Sequence, residues 1–370
     1  MTENMAKTAL TLSPWVEIGI ACDAGTSNTG IYGLTDLFTY AGEFAAKRHG
    51  GCAGSAVRIT HWRADDEDAT EVRCAYDSCP SSTHTLSLLV IPGNVQAPEK
   101  TGRISPLLHW LREKHAEGVV LAAVCGGVFI LARTGLLAGR QATTHWSFNE
   151  VFAEQFPDVL TETDHMVIDN GDVVTAGGVL AWADLGLRLT ERFLGTAVML
   201  ETARFMLVDP PGREQRFYCE FDPKTKHGDR AILKAQLWLL TQRERHVSVA
   251  DLARHAELEQ RTFLRRFAAA TGMKPNEYQQ RLRITRAREM LEFSQASVED
   301  ISWSLGYGDA TGFRRVFRKV MGLTPSDYRR RFCQPAPQRA LSPHSRLMST
   351  SQPSPEEGAQ SAVQGRTRDE

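Results

Sequence analysis

The sequence predicts two folds in tandem. The first is an α/β domain with a parallel sheet and helices on both faces. The second is an all-α domain with two helix-turn-helix units. Three observations carry this. Short apolar runs ending in glycine-rich turns alternate with helical periodicity as far as Pro211. From Arg230 the periodicity is helical throughout. Within that helical part a block recurs at an offset of 49 to 50 positions.

Taken in order, residues 16–22 (VEIGIAC) read as a buried strand that ends in the turn DAGTSNTG, and residues 32–46 place apolar side chains at helical spacing. Residues 85–91 (TLSLLVI) form a second buried strand, stopped by Pro92, Gly93 and Asn94. Residues 118–124 (GVVLAAV) form a third, running through Cys125, Gly126 and Gly127 into a helix over 128–137. Residues 172–175 supply a further strand, followed by Ala176, Gly177 and Gly178 and a helix over 180–193. Asp209-Pro210-Pro211-Gly212 closes this domain, which spans 14–212, and the polar residues 213–229 read as a linker. The helical domain takes 230–333. Beyond Cys333 the chain is rich in Pro, Ser, Gln and Gly, so 334–370 is expected to be a disordered tail without enough apolar surface to order itself.

Composition narrows the class. Of 370 residues, 42% are apolar and 24% charged, which excludes collagen, a coiled coil and a wholly disordered chain. The longest apolar run, residues 118–132, is 15 long and falls short of the roughly 20 needed to cross a bilayer. No secretory signal is read, so a cytoplasmic protein with no membrane partner is expected. The seven cysteines are scattered, with no CxxC pair, and Cys74 and Cys79 lack a partner pair at zinc spacing. Reduced thiols, no metal and no cofactor are expected. The net charge of −1 conceals an asymmetry. Residues 241–333 hold 18 Lys and Arg against 11 Asp and Glu, a surplus of seven positive charges, and the rest of the chain carries −8. A basic module is fused to an acidic one.

The recurring block explains the basic module. Ser248-Val249-Ala250-Asp251-Leu252 returns as Ser297-Val298-Glu299-Asp300-Ile301, and Phe263 to Phe267 return as Phe313 to Phe317. Gly272, Pro275 and Tyr278 return as Gly322, Pro325 and Tyr328. Ser248 and Ser297 are suited to cap a first helix, with Asp251 and Asp300 three residues on. The second helix pairs two phenylalanines at i,i+4 toward a core. Its opposite face carries Arg261 and Arg265 in one copy and Arg314, Arg315 and Arg318 in the other. One such face is an ordinary solvated surface; two copies with the same cap, turn and aromatic pair point to paired helix-turn-helix units on DNA. Residues 247–332 resemble the DNA-binding domain of AraC/XylS transcription regulators, including Gly322-Leu323-Thr324-Pro325-Ser326-Asp327-Tyr328-Arg329. The resemblance implies that one subunit sets both recognition helices into successive major grooves. It makes Arg261 and Arg265, then Asp309, Thr311 and Arg314, candidates for base edges, with Arg315 and Arg318 on phosphates.

Residues 119–146 carry a second pattern. A buried strand, Cys125 at its end, two glycines and a helix make a nucleophile elbow. Together with Ala142-Thr143-Thr144-His145-Trp146 and residues 169–178 (DNGDVVTAGG), it resembles the ThiJ/PfpI superfamily, which implies a flavodoxin-like sheet. That domain joined to an AraC-type module is similar to the GlxA-like regulators. The resemblance implies a small-molecule effector, promoter DNA and RNA polymerase as partners, and a homodimer that activates transcription. Position 126 is glycine where PfpI-type hydrolases carry histidine, and no acid matches theirs, so no catalytic residue is assigned. Cys125 and His145 would serve only in the alternative, a cysteine-dependent hydrolase or hydratase tethered to DNA. A redox sensor at Cys125 is a third reading. The effector pocket is expected at the strand C-termini, with Asn28, Asn94, Cys125, His145, Trp146 and Gly177 on its rim. Trp146, Trp182 and Asp184 would there meet an amine, amino acid or quaternary ammonium cation.

Overall fold

A computed structural model describes residues 16–22, 25–49, 55–64, 71–80, 83–93, 105–242 and 247–333. The expected tail, together with Asn94, lies outside the described residues. The first half runs β1 (Val16–Ala21), α1 (Asn28–Arg48), β2 (Val57–Ala64), β3 (Val72–Asp77) and β4 (Leu86–Ile91). Next come α2 (Ser105–Ala116), β5 (Val120–Val124) and the short α3 (Gly127–Arg133). They are followed by β6 (Gln141–Ala142), α4 (Asn149–Gln155), β7 (Leu160–Thr161), β8 (Val167–Asp169), β9 (Val173–Ala176), α5 (Ala181–Leu194) and α6 (Thr196–Phe205).

Seven strands form one sheet in the order β3-β2-β1-β4-β5-β9-β8. Its five inner strands are parallel, and β3 and β8 pair antiparallel at the edges. β6 and β7 pair separately. The continuous apolar runs have a simple cause: each inner strand is covered on both faces. Leu88 and Val90 of β4 point to one core with α1 and α5, while Leu89 and Ile91 point to the other with α2, α3 and α4. The order reverses between β1 and β4, so the C-terminal ends of β1, β4 and β5 bound the crevice where such sheets hold ligands.

Two elements differ from expectation. The helix read over 128–137 stops at Arg133, because Gly135 and Gly139 take the left-handed backbone, with φ of +81° and +71°. The linker read over 213–229 is not simply exposed: Gln215 and Phe217 are buried.

The helical half comprises α7 (Arg230–Thr241), α8 (Val249–His255), α9 (Gln260–Thr271), α10 (Pro275–Phe293), α11 (Val298–Ser304), α12 (Ala310–Met321) and α13 (Pro325–Phe332). It has two separate cores. One gathers Phe263 and Phe267 with Ile232, Ala235, Leu239 and Tyr278. The other gathers Phe313 and Phe317 with Ile284, Ala287, Leu291 and Tyr328. The repeat therefore reaches further back than its helix-turn-helix part. Ile232-Ala235-Leu239 on α7 corresponds to Ile284-Ala287-Leu291 on α10. The residue after each alanine holds the copy's tyrosine: Gln236 Nε2 donates to Tyr278 Oη at 3.0 Å, and Arg288 Nε donates to Tyr328 Oη at 2.9 Å. Helix α10 thus closes the first unit with its N-terminal half and opens the second with its C-terminal half. Among the described residues no helix is long and apolar enough to cross a membrane.

Candidate effector pocket and nucleic-acid interface

At the elbow, β5 delivers Cys125 with a φ of +52°, a left-handed conformation in which a non-glycine residue is strained. The turn is tight on every side. A Cβ on Gly127 would stand 2.5 Å from the Ile91 carbonyl oxygen, and one on Gly93 would stand 3.2 Å from Cys125 Cβ. Cys125 N donates to the Ala176 carbonyl at 2.7 Å, and Thr144 Oγ1 donates to the Cys125 carbonyl at 2.8 Å. The residue is only 4% exposed. Burial pushes the Cys125 thiol up, against the backbone N–H groups of Gly126 and Gly178, which favour the thiolate. No hydrogen bond between Cys125 and His145 appears among the described residues. His145 Nδ1 instead faces Ser147 Oγ at 2.7 Å, and its burial lowers the imidazole pKa, which favours the neutral ring. Activation of a thiol calls for a base within hydrogen-bond reach, and the His145 ring is engaged with Ser147.

The remaining expected residues are dispersed. Asn28 is exposed in the first turn of α1. Gly177 adjoins the Gln215 carboxamide, where a side chain would collide. Asp184 is 5% exposed and is held by both ends of the Arg213 guanidinium, with Nε to Oδ1 at 3.0 Å. Arg213 thus already sets a cation of the chain against Asp184. Trp182 packs its ring on Gly33, and its indole nitrogen has no hydrogen-bond partner among the described residues. Trp146 alone of the expected set borders a cavity of about 340 Å³ between the two domains. Glu150 and Asp164 of the α/β domain also line it, with Arg216 and Cys219 of the linker and Met273, Arg281 and Arg288 of the helical domain. This cavity is not legible in the sequence, because its walls come from three separate stretches.

Cys74, Asp77 and His84 lie close enough for their side-chain atoms to fall within 4.8 Å of one another, a grouping that spacing did not suggest. Their bonds go elsewhere. Asp77 takes a bidentate pair from Arg58 at 2.6 and 3.0 Å, and His84 Nδ1 meets Glu17 at 2.7 Å.

In the helical domain, Ser248 and Ser297 accept from the amides of Asp251 and Asp300, and Ser297 with Asp300 completes a capping box. Gly272 and Gly322 end α9 and α12 in the left-handed conformation, with φ of +71° and +74°. The phenylalanine pairs lie inward at 0% exposure, which turns the arginines outward. Arg261, Arg265, Arg315 and Arg318 are exposed, and none makes a salt bridge among the described residues. Arg314 is bound to Glu299 of α11. Asp309 caps α12, accepting from Gly312 N at 2.6 Å, and Thr311 is exposed at the second position of the helix. Arg266 faces away, paired with Asp229 at 2.7 and 2.8 Å.

Two family models match these halves: the DJ-1/PfpI family over residues 62–192 and a helix-turn-helix domain over residues 252–331. An AraC-like transcription regulator of Streptomyces lividans is 30% identical over 223 residues, 56% of this chain and 71% of that protein. The chain belongs to the AraC-like transcription regulators. Among these regulators it is similar to ArgR of Pseudomonas aeruginosa, 29% identical over 63% of this chain and 71% of that one. It is also similar to GlxA of Rhizobium meliloti, 28% identical over 60% and 68%. This chain carries the DJ-1/PfpI match and the helix-turn-helix match in that order.

Proposed function

We propose that the DJ-1/PfpI domain of this regulator binds a small metabolite without transforming it, and that occupancy changes how the helical domain meets promoter DNA. The elbow carries this reading: Cys125 is buried as a thiol, and His145 is hydrogen-bonded to Ser147 instead. A cysteine nucleophile needs a base within hydrogen-bond reach. An amine, amino acid or quaternary ammonium effector would compete with Arg213 for Asp184. Asn28, Asn94, Cys125, His145, Trp146 and Gly177 remain the proposed rim. On DNA, Arg261, Arg265, Asp309, Thr311 and Arg314 are proposed for base edges, Arg315 and Arg318 for phosphates. Activation, contact with RNA polymerase and a homodimer follow from family analogy and from the prevalence of two-fold assemblies.

An operator selected from random duplexes with the full chain tests the reading. Arg265→Ala is expected to relax one base preference by about 1–3 kcal/mol. Arg318→Ala is expected to weaken all duplexes alike and flatten the salt slope by about one. Cys125→Ala is expected to leave affinity within about twofold. A hydrolytic turnover that vanishes in Cys125→Ala would favour the enzyme instead. Thermal-shift hits confined to anionic or neutral compounds would sink the cation.

A further inference from the structure

We propose that residues 213–219 are a strap that couples the α/β domain specifically to the second helix-turn-helix unit. It rests on the sensor reading for its purpose, but its geometry and its test do not need an effector.

One side of the strap is locked into the α/β domain. The Gln215 side chain is 2% exposed, although the segment is otherwise polar. Its Nε2 lies 2.9 Å from both Thr143 Oγ1 and the Thr144 carbonyl and 3.1 Å from the His165 carbonyl, and its Oε1 accepts from Trp146 N at 3.1 Å. Arg213 closes on Asp184, and Arg216 N donates to the Asp164 carbonyl at 3.2 Å. A buried amide with its partners satisfied on three sides is an anchor, because pulling it out strands several polar groups at once.

The other side is gripped by the reader's second unit. Arg331 of α13 lies over the Phe217 and Tyr218 rings, 5.4 and 5.8 Å from their centroids, and donates to Tyr218 Oη at 3.1 Å. Arg288 of α10 donates to the Cys219 carbonyl at 2.6 Å. Gly322, which ends the recognition helix α12, lies so close that a Cβ there would stand 2.6 Å from Phe217.

Between the two grips the backbone is a single tight turn. Tyr218 N and Cys219 N both donate to the Gln215 carbonyl, at 2.8 and 3.1 Å. There is no slack in which a displacement at Gln215 could be absorbed before Phe217. The first unit is held differently, through Phe221 against Tyr278 and through Gln236 on the Lys224 carbonyl, both further along the connector; the tie of Lys224 to the α/β domain is an exposed ion pair with Glu150 at 3.1 Å, which is weak beside the buried Gln215 anchor. A change in the α/β domain is therefore delivered to α12 and α13 in preference to α8 and α9. Coupling of this kind acts in both directions.

Amide hydrogen exchange on the full chain, without effector or DNA, tests this. Gln215→Ala is expected to speed exchange about tenfold at the strap amides and at Gly322, while Gly272, the matching amide of the first unit, stays within twofold. Arg331→Ala, made on the reader side, is expected to speed the Arg216 amide, which bonds only to the α/β domain. Equal acceleration at Gly272 and Gly322, or none at Gly322, overturns the proposal. Should Gln215→Ala fail to fold, Arg331→Ala decides alone: an unchanged Arg216 amide overturns it. Either failure leaves the sensor reading standing.

Discussion

Asp172 shows how much one exposed-looking side chain can tie together. Its carboxylate accepts from Arg140 at 2.6 Å and meets His115 Nε2 at 2.8 Å, while its carbonyl accepts from Leu121 N of β5 at 3.0 Å. The Arg140 hydrogen bond, with that of His115, holds the carboxyl at about 2 despite some desolvation. A carboxyl with a depressed folded pKa stabilises fully above its unfolded value and loses that contribution as pH falls through the folded one. The side chain is 44% exposed, so solvent screening keeps the contribution below about 2 kcal/mol. Asp172→Asn is therefore expected to be less stable than the native chain at pH 6. The gap should narrow between pH 5 and pH 2 in urea melts. A gap independent of pH would show that the ion pairs contribute nothing. At the same scale, the surroundings of Asp184 are not legible from its neighbours in sequence. An acid two residues from a tryptophan suggests a cation site, and only the fold brings Arg213, 29 positions on, into its two oxygens.

Elements were legible in proportion to how local their cause is. The strands β1, β4 and β5 announce themselves as apolar runs, since both faces of each are covered. β2 does not, because Arg58 and His61 interrupt it; Arg58 is buried among partners from distant segments, Glu17 on β1, Asp77 on β3 and the Thr83 carbonyl ahead of β4. The helix-turn-helix pairs were visible because capping serine, aromatic pair and terminating glycine recur at nearly constant spacing. A helix between the copies, over about 276–293, is legible too, but not that it and α7 are themselves equivalent parts of the repeat. Ile232-Ala235-Leu239 and Ile284-Ala287-Leu291 are 52 positions apart rather than 49 or 50, because the connection from α10 to α11 is shorter than that from α7 to α8. The cores follow this repeat, and they give a prediction at the same scale. Phe317→Ala leaves a large void in the second core and should cost about 3–5 kcal/mol. Because the first core contains none of the same residues, exchange protection in α8 and α9 should survive in that variant, and its uniform loss would mean that the units fold as one.

On the scale of the molecule, the surplus of seven positive charges in residues 241–333 belongs to a body with two exposed arginine faces, and the acidic remainder belongs chiefly to the α/β domain. The sequence showed that division, but not the cavity and strap between the halves, since contacts between distant segments leave no periodic trace. Helix α10 carries one more consequence. Its 19 residues span about 28 Å, and both of its ends are embedded in hydrophobic cores, so it is a ruler with fixed marks. Half-sites read by flexibly joined modules tolerate a whole added turn of duplex; those read through a ruler do not. On the proposed two-helix reading of the operator, inserting either five or ten base pairs between its two halves is expected to abolish high-affinity binding, the first by rotating one half out of reach and the second by stretching the pair beyond about 34 Å. Recovery at ten base pairs in a mobility-shift titration would exclude a fixed spacing. The grammar of the promoter, its permitted gaps, is thus written in the length of one shared helix.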